Sequence, residues 1–346
     1  MKPLANAPAL ALPEPPSAAT RRPRVARREP LLTRLPLPLV AVLGALALLL
    51  LSPDRLFAFG PATHVFLGEQ LLTSLWLLPP AIADLLRAYP LSFLYGSVAA
   101  DISFAKKYVP AGRHSHYWHV GEEILDRAAN DRMRAVALGY LCHLAADTIA
   151  HNFFVPRQLV LTSSTKALGH SYWEHRLDMS LGEGMTAKTR DVVMSYDHSE
   201  ADALFDDVLS GTIFSFETNR RIFRGMIRFQ DNERWQNVFG RMLTRSRWDL
   251  SDQDVEDYVS RGFDSVVDYV RRRRSSVAAT RDPIGEFNIG LAKKVRRRAL
   301  RDGVLRDPSS LRTLADDFFP LPQDDLGYWD QRGEDVAEPN MGQAAS

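Results

Sequence analysis

Beyond residue 58, apolar side chains recur every three or four positions through most of the chain, the period of helices with one face turned to a core. Residues 64 to 77 (HVFLGEQLLTSLWL) follow this period, Pro79 and Pro80 interrupt it, and a second helix is expected from 81 to 88, stopping before Pro90. The segment 130 to 154 opens on Asn130 and Asp131, residue types that cap helix N-termini. It continues through Met133, Val136, Leu138, Leu141 and Leu144 and is expected to be the central helix. Further amphipathic helices are expected at 199–210, 216–229, 232–246, 252–273 and 286–301. No convincing strand pattern appears. The reading is an all-α, multi-helix bundle with any site built between facing helices.

The central helix carries polar residues in an apolar setting. His143, Asp147 and His151 are spaced i, i+4 and i+8, about 40° apart per step, so three potential ligands share one flank. Their neighbours are Leu144, Ala145, Ala146, Ile149 and Ala150, among which an unpaired charge would be costly. One loop later, His170 and Glu174 repeat the i, i+4 geometry. Imidazole and carboxylate together suit a borderline cation such as zinc. Three earlier places could complete a cluster: His64, Asp101 at the end of YGSVAAD, and His114, His116 and His119 in HSHYWH.

Composition narrows the chemistry. The 346 residues are 45% hydrophobic, enough for a sizeable core. Cys142 is the one cysteine, so there is no intrachain disulfide and no thiolate zinc finger; it reads as a buried thiol. Residues 1 to 34 are rich in Pro, Ala and Arg, and an uncharged apolar run extends from Leu35 to Leu51. That order reads as an export signal or signal anchor with cleavage after Ala58, so the protein is expected to be exported, or held at the membrane by residues 35–51. Without residues 1–58 the chain keeps 35 Lys and Arg against 39 Asp and Glu, about −4, which argues against a general nucleic-acid-binding surface.

The order of these residues resembles the zinc-dependent phospholipase C family of bacteria, related to the fungal single-strand-specific zinc nucleases. The resemblance runs through His64, Asp101, His116 in SHYW, His143 with Asp147 and His151, and His170 with Glu174 in HSYWE, over roughly residues 59 to 180. Two positions depart from it: the gap from Asp147 to His151 is shorter than in the best-known members, and Phe59 stands where those have Trp. The resemblance implies three Zn2+ ions. One would be held by Asp101, His116, His143 and Asp147, a second by His151, His170 and Glu174. The third would take His64, the shared Asp147, and the amino group and carbonyl of a mature N-terminus at Phe59. It further implies phosphodiester hydrolysis, with Asp101 as the catalytic residue that orients or deprotonates water.

The resulting division is a signal or anchor (1–58), a catalytic core (59–185), a helical C-terminal extension (186–320) and a loose tail (321–346). The expected partners are a phospholipid or membrane surface and a small phosphodiester substrate, nucleic acid less so, with the chain a monomer. A nuclease or 3′-nucleotidase with the same metal architecture stands as an alternative, as does a membrane-anchored, metal-stabilised helical protein without activity. His175 is expected in packing or at a rim, and His198 in solvent. Trp118, Tyr172 and Trp173 are read as core, with a substrate cleft as the other use. Arg271 to Arg274 and the Lys293, Lys294, Arg296, Arg297, Arg298 cluster read as solvated helix faces that could also dock on anionic lipid.

Overall fold

A computed structural model describes residues 59–103, 109–162, 167–209, 214–246, 248–303, 307–323 and 326–332. The export segment and the cleavage site before Phe59 lie outside these residues. Among the described residues the regular elements are all helical, and no helix is long and apolar enough to cross a membrane.

The chain begins with α1 (Pro61–Leu72), a 3-10 turn at Leu75–Leu77, α2 (Pro80–Ala88) and α3 (Pro90–Ala99). Pro90, read from sequence as the stop of one helix, also starts the next. At the first helical position its missing N–H is no loss. A 3-10 turn (Ala100–Ile102) ends α3, and α4 (Trp118–Asp126) leads to α5 (Asp131–Ile149). The Asn130 side chain caps α5 by accepting from the Met133 amide at 3.0 Å. From Ala135 to Ile149 every residue of α5 is buried, as befits a helix apolar on nearly all sides. It is the axis around which α3, α4 and later α12 pack.

The helix expected to run to residue 154 changes form near its end. A π-turn at Ala150–Phe154 separates α5 from α6 (Val155–Leu161). Pro156 has no N–H to give the Asn152 carbonyl, which instead accepts from the Asn288 side-chain amide at 3.1 Å. Then follow α7 (Ala167–Ser180), α8 (Glu183–Met194), α9 (Ser199–Val208), α10 (Phe216–Gln230) and α11 (Glu233–Arg245). The last three helices are α12 (Asp252–Arg272), α13 (Glu286–Arg301) and α14 (Pro308–Phe318). Where a loose tail is expected from residue 321, residues 326–332 are held to α12: the amides of Leu326 and Trp329 donate to Asp264 at 3.2 and 2.8 Å.

The closest helix contact is between α3 and α5, and glycine permits it. A Cβ added to Gly96 would lie 2.0 Å from the Val136 carbonyl oxygen, and one added to Gly139 would lie 2.0 Å from that of Phe93. Backbone meets backbone with no side chain between, which carries the end of α3 against the middle of α5. Gly139→Ala is therefore expected to lower stability by about 3 kcal/mol. Gly240→Ala, at a helical site with open space around it, should be neutral or stabilise by about 0.5 kcal/mol. Urea midpoints of the two variants beside the parent check the contrast.

Candidate metal centre

The α3–α5 contact sets up the centre. His143 and Asp147 lie one turn apart on α5, and Asp101 follows α3 in the 3-10 turn. The His143 ring is fixed by donating its Nδ1–H to the Ser97 carbonyl at 2.9 Å, which turns Nε2 inward. His116 arrives on a loop tied to α5, where the Tyr140 hydroxyl donates to the Ser115 carbonyl at 2.5 Å. Ser115 Oγ donates to the Ala100 carbonyl at 3.0 Å and lies 3.1 Å from His116 Nδ1, so that nitrogen carries a proton and Nε2 faces the centre. His64 enters from α1, its ring stacked on His143 at 3.8 Å between centroids.

These donors converge on one carboxylate. Asp147 Oδ2 lies 3.1 Å from His116 Nε2 and 3.2 Å from His143 Nε2, and Oδ1 lies 3.4 Å from His64 Nε2. Asp101 Oδ1 is 3.4 Å from His116 Nε2, and the two imidazole Nε2 atoms are 3.1 Å apart. All five residues are buried. Two compact donor triads result, His64–His143–Asp147 and Asp101–His116–His143.

Burial alone would raise the Asp147 carboxyl. The charges of His143 and His151, with the His116 and His143 nitrogens close by, outweigh it and hold the group well below the usual carboxylate range. Burial likewise opposes charge on His143, but Asp147 and Asp101 beside it raise its pKa. His64 goes the other way, lowered by burial and then by the His143 charge against its face. Two stacked imidazoles cannot both be cationic here. Neither Asp147 oxygen, nor His64 Nε2, makes a hydrogen bond of good geometry among the described residues. Buried nitrogen and oxygen donors that crowd together without good hydrogen bonds fit a divalent cation, and the all-N/O donor set suits zinc.

His151 stands on the π-turn, a displaced member of the ladder. Its Nδ1 is 3.7 Å from Asp147 Oδ2 and donates to the Pro283 carbonyl at 2.5 Å. Glu174 is buried on α7. His170 falls in the same helix, but its side chain lies outside the described residues. Phe59 is fully buried, its ring edge-on to His64 at 6.2 Å.

The neighbouring histidines have other duties. The His114 ring accepts from the His116 amide at 3.1 Å, and His119 meets the Gly112 carbonyl at the surface. His175 packs on Phe239 and accepts from Trp235 Nε1 at 3.1 Å. His198, expected in solvent, is buried and stacked on Tyr95 at 3.6 Å; the Asp and Ser around it in sequence hide the aromatic that covers it. Trp173 is buried, and Trp118 stacks on Tyr269 at 4.5 Å.

Sequence reasoning passed over Asp178, four residues after Glu174 and so on the same face of α7. Its carboxylate accepts from the Ala62 and Thr63 amides at 3.3 and 2.9 Å and from the Thr63 hydroxyl at 2.6 Å. It closes the N-terminus of α1 one residue before His64 and joins the two helices. Spacing from Glu174 was the available signal.

Residues 63–218 match the model of the zinc dependent phospholipase C family. The match contains every donor named above except Phe59 and runs past residue 180, where the motif resemblance ends. No curated protein and no solved structure shows significant similarity to the chain.

Burial raises the Asp178 carboxyl to about 6 against its hydrogen bonds. A folded-state pKa above the unfolded one gives stability that is full below about pH 4 and lost as pH rises through 6. Relative to Asp178→Asn, the parent should lose about 2.4 kcal/mol between pH 4 and pH 7. Urea unfolding of both proteins across that range checks it; a difference independent of pH would mean the carboxyl does not titrate there.

Proposed function

We propose that this chain is an exported zinc-dependent phosphodiester hydrolase acting on phospholipid head groups. The observation that carries the reading is Asp147, a buried carboxylate shared by the Nε2 atoms of His64, His116 and His143. It rests also on the family match over residues 63–218.

In this reading Asp101, His116, His143 and Asp147 hold one zinc. Asp147, His64 and the amino group and carbonyl of a mature N-terminus at Phe59 would hold a second. His151, with its Nδ1–H given to Pro283, offers its other nitrogen to a third together with His170 and Glu174. Bound zinc supplies Lewis-acid polarisation of a phosphoryl oxygen and makes water a nucleophile near neutral pH.

The protein's own groups do the rest. The Ser97 carbonyl, Ser115 hydroxyl and Pro283 carbonyl each take an imidazole N–H, fixing tautomer and ring orientation and raising the basicity of the opposite nitrogen. Asp101, buried beside His116 and His143, orients the attacking water and accepts its proton at a carboxylate oxygen. The apolar wall of α5 keeps bulk water from competing with these contacts.

Phosphatidylcholine hydrolysis is expected in zinc-containing buffer, to vanish with chelator and to return when zinc is restored. Single-stranded DNA hydrolysis instead would move the assignment to a nuclease, and chelator-induced unfolding with no activity to lose would make the metal structural. Asp147→Asn should lose bound zinc and reduce turnover by at least about 10²-fold. Metal content and initial rates measured on the same preparation decide it; a variant with the parent's zinc and rate would defeat the assignment.

A further inference from the structure

We infer that the outer face of α13, which lies outside the family-matched segment, is a docking surface for anionic phospholipid bilayers. Helical periodicity places Phe287, Lys294, Arg298 and Arg301 within an arc of about 60°, on the side opposite the buried Ile289, Ala292 and Ala299. Phe287 is 79% exposed, unusual for so large an apolar group. Five cations, Lys293, Lys294, Arg297, Arg298 and Arg301, stand on this helix outside the core, against one acid, Glu286. Lys293 and Lys294 make no ion pair among the described residues. Arg298 and Arg301 reach only the half-exposed Asp302, at 3.5 and 3.4 Å.

The sequence cluster divides once the fold is known. Arg296 turns inward, buried, and donates to the Val160 carbonyl at 2.7 Å, closing the end of α6. The basic run Arg271–Arg274 is engaged locally: Arg273 and Arg274 pair with Glu122, and Arg271 with the Leu77 carbonyl. The other cations of α13 stay at the surface. Beside Lys294 and Arg298 runs a groove of about 430 Å3 with Leu291, Leu314 and Phe318 in its walls. Phe318 is 45% exposed. Exposed Phe beside Lys and Arg is the make-up of a helix that lies in a lipid interface: rings enter the acyl boundary while cations meet phosphates. A single-stranded nucleic acid would need successive aromatics as stacking platforms, and this surface offers only Phe287 on α13 and Phe318 on α14, on separate helices.

The helix also abuts the metal centre. A Cβ on Gly285, the N-cap of α13, would lie 2.3 Å from the His151 carbonyl oxygen, and Pro283 just before it accepts from the His151 ring. Phe287 follows two residues later. A bilayer held on α13 would therefore lie beside the wall of the centre that carries His151. That consequence rests on the function proposed above; the docking itself does not.

Equilibrium binding to vesicles tests it in the Asp147→Asn background, where lipid stays intact. Mixed phosphatidylcholine–phosphatidylglycerol vesicles should bind, and raising salt should weaken binding. Lys294→Gln with Arg298→Gln should weaken partition about 25-fold, roughly fivefold per charge, and Phe287→Ser several-fold. In the parent background both variants should keep their rate on a soluble chromogenic phosphodiester. Unchanged vesicle partition in both variants, or preference for an oligonucleotide over vesicles, would overturn the inference. Failure of the parent on the soluble substrate would instead count against the proposed function and leave the docking result standing.

Discussion

A carboxylate kept charged in a dry interior is the constraint to which the rest of this structure answers. Asp147 is 1% exposed, and burial alone would favour its neutral form. The charges of His143 and His151, with the His116 and His143 nitrogens at 3.1 and 3.2 Å, reverse that preference. The imidazoles around it cannot all be cationic, since His64 and His143 stack face to face and their pKa values are driven apart. Protons alone satisfy such a cluster poorly. A divalent cation satisfies it well, because it takes the lone pairs of neutral imidazole and of carboxylate together.

The surrounding fold works as a set of distance constraints on those donors. Gly96 and Gly139 allow α3 and α5 to touch along their backbones, which is how Ser97 comes to orient His143 and how Asp101 comes within reach. The Tyr140 hydroxyl holds the His116 loop to the same helix. Asp178 closes the start of α1 and so fixes His64 from the far side. The π-turn after Ile149 aims His151 toward the Pro283 carbonyl as well as toward Asp147.

Helical class, the central helix and the convergence of His143 and Asp147 on one flank of it were legible in the sequence because periodicity and local spacing encode them directly. His143 and Asp147 needed only the i, i+4 rule, and His64, Asp101 and His116 acquired meaning from their order along the chain. What remained hidden depends on contacts between distant segments. That Gly96 and Gly139 face each other's helices cannot be read from either. The π-turn is decided by Pro156 together with Asn288, more than a hundred residues apart in sequence. His198 looked solvated because its sequence neighbours are polar, whereas Tyr95 covers it from another helix. Residues 326–332 looked loose by composition, yet two amides bound to Asp264 hold them. Asp178 was within reach of the spacing rule, since it stands one helical step beyond Glu174 on α7.

The α13 cluster shows the same limit from the other direction. Five neighbouring basic residues carry one sequence signature, yet the fold gives Arg296 to a helix terminus and leaves the others outside. Charge patterning therefore marks a helix as interesting, and only packing tells which of its cations are available to a partner.

The most direct test of the central claim is anomalous X-ray scattering at the zinc edge from crystals of the purified protein. The account predicts strong peaks on both sides of the Asp147 carboxylate, within bonding distance of His64, His116 and His143, with nitrogen and oxygen as the protein ligands. An ordered, hydrolytically active protein with no anomalous peak beside Asp147 would contradict it.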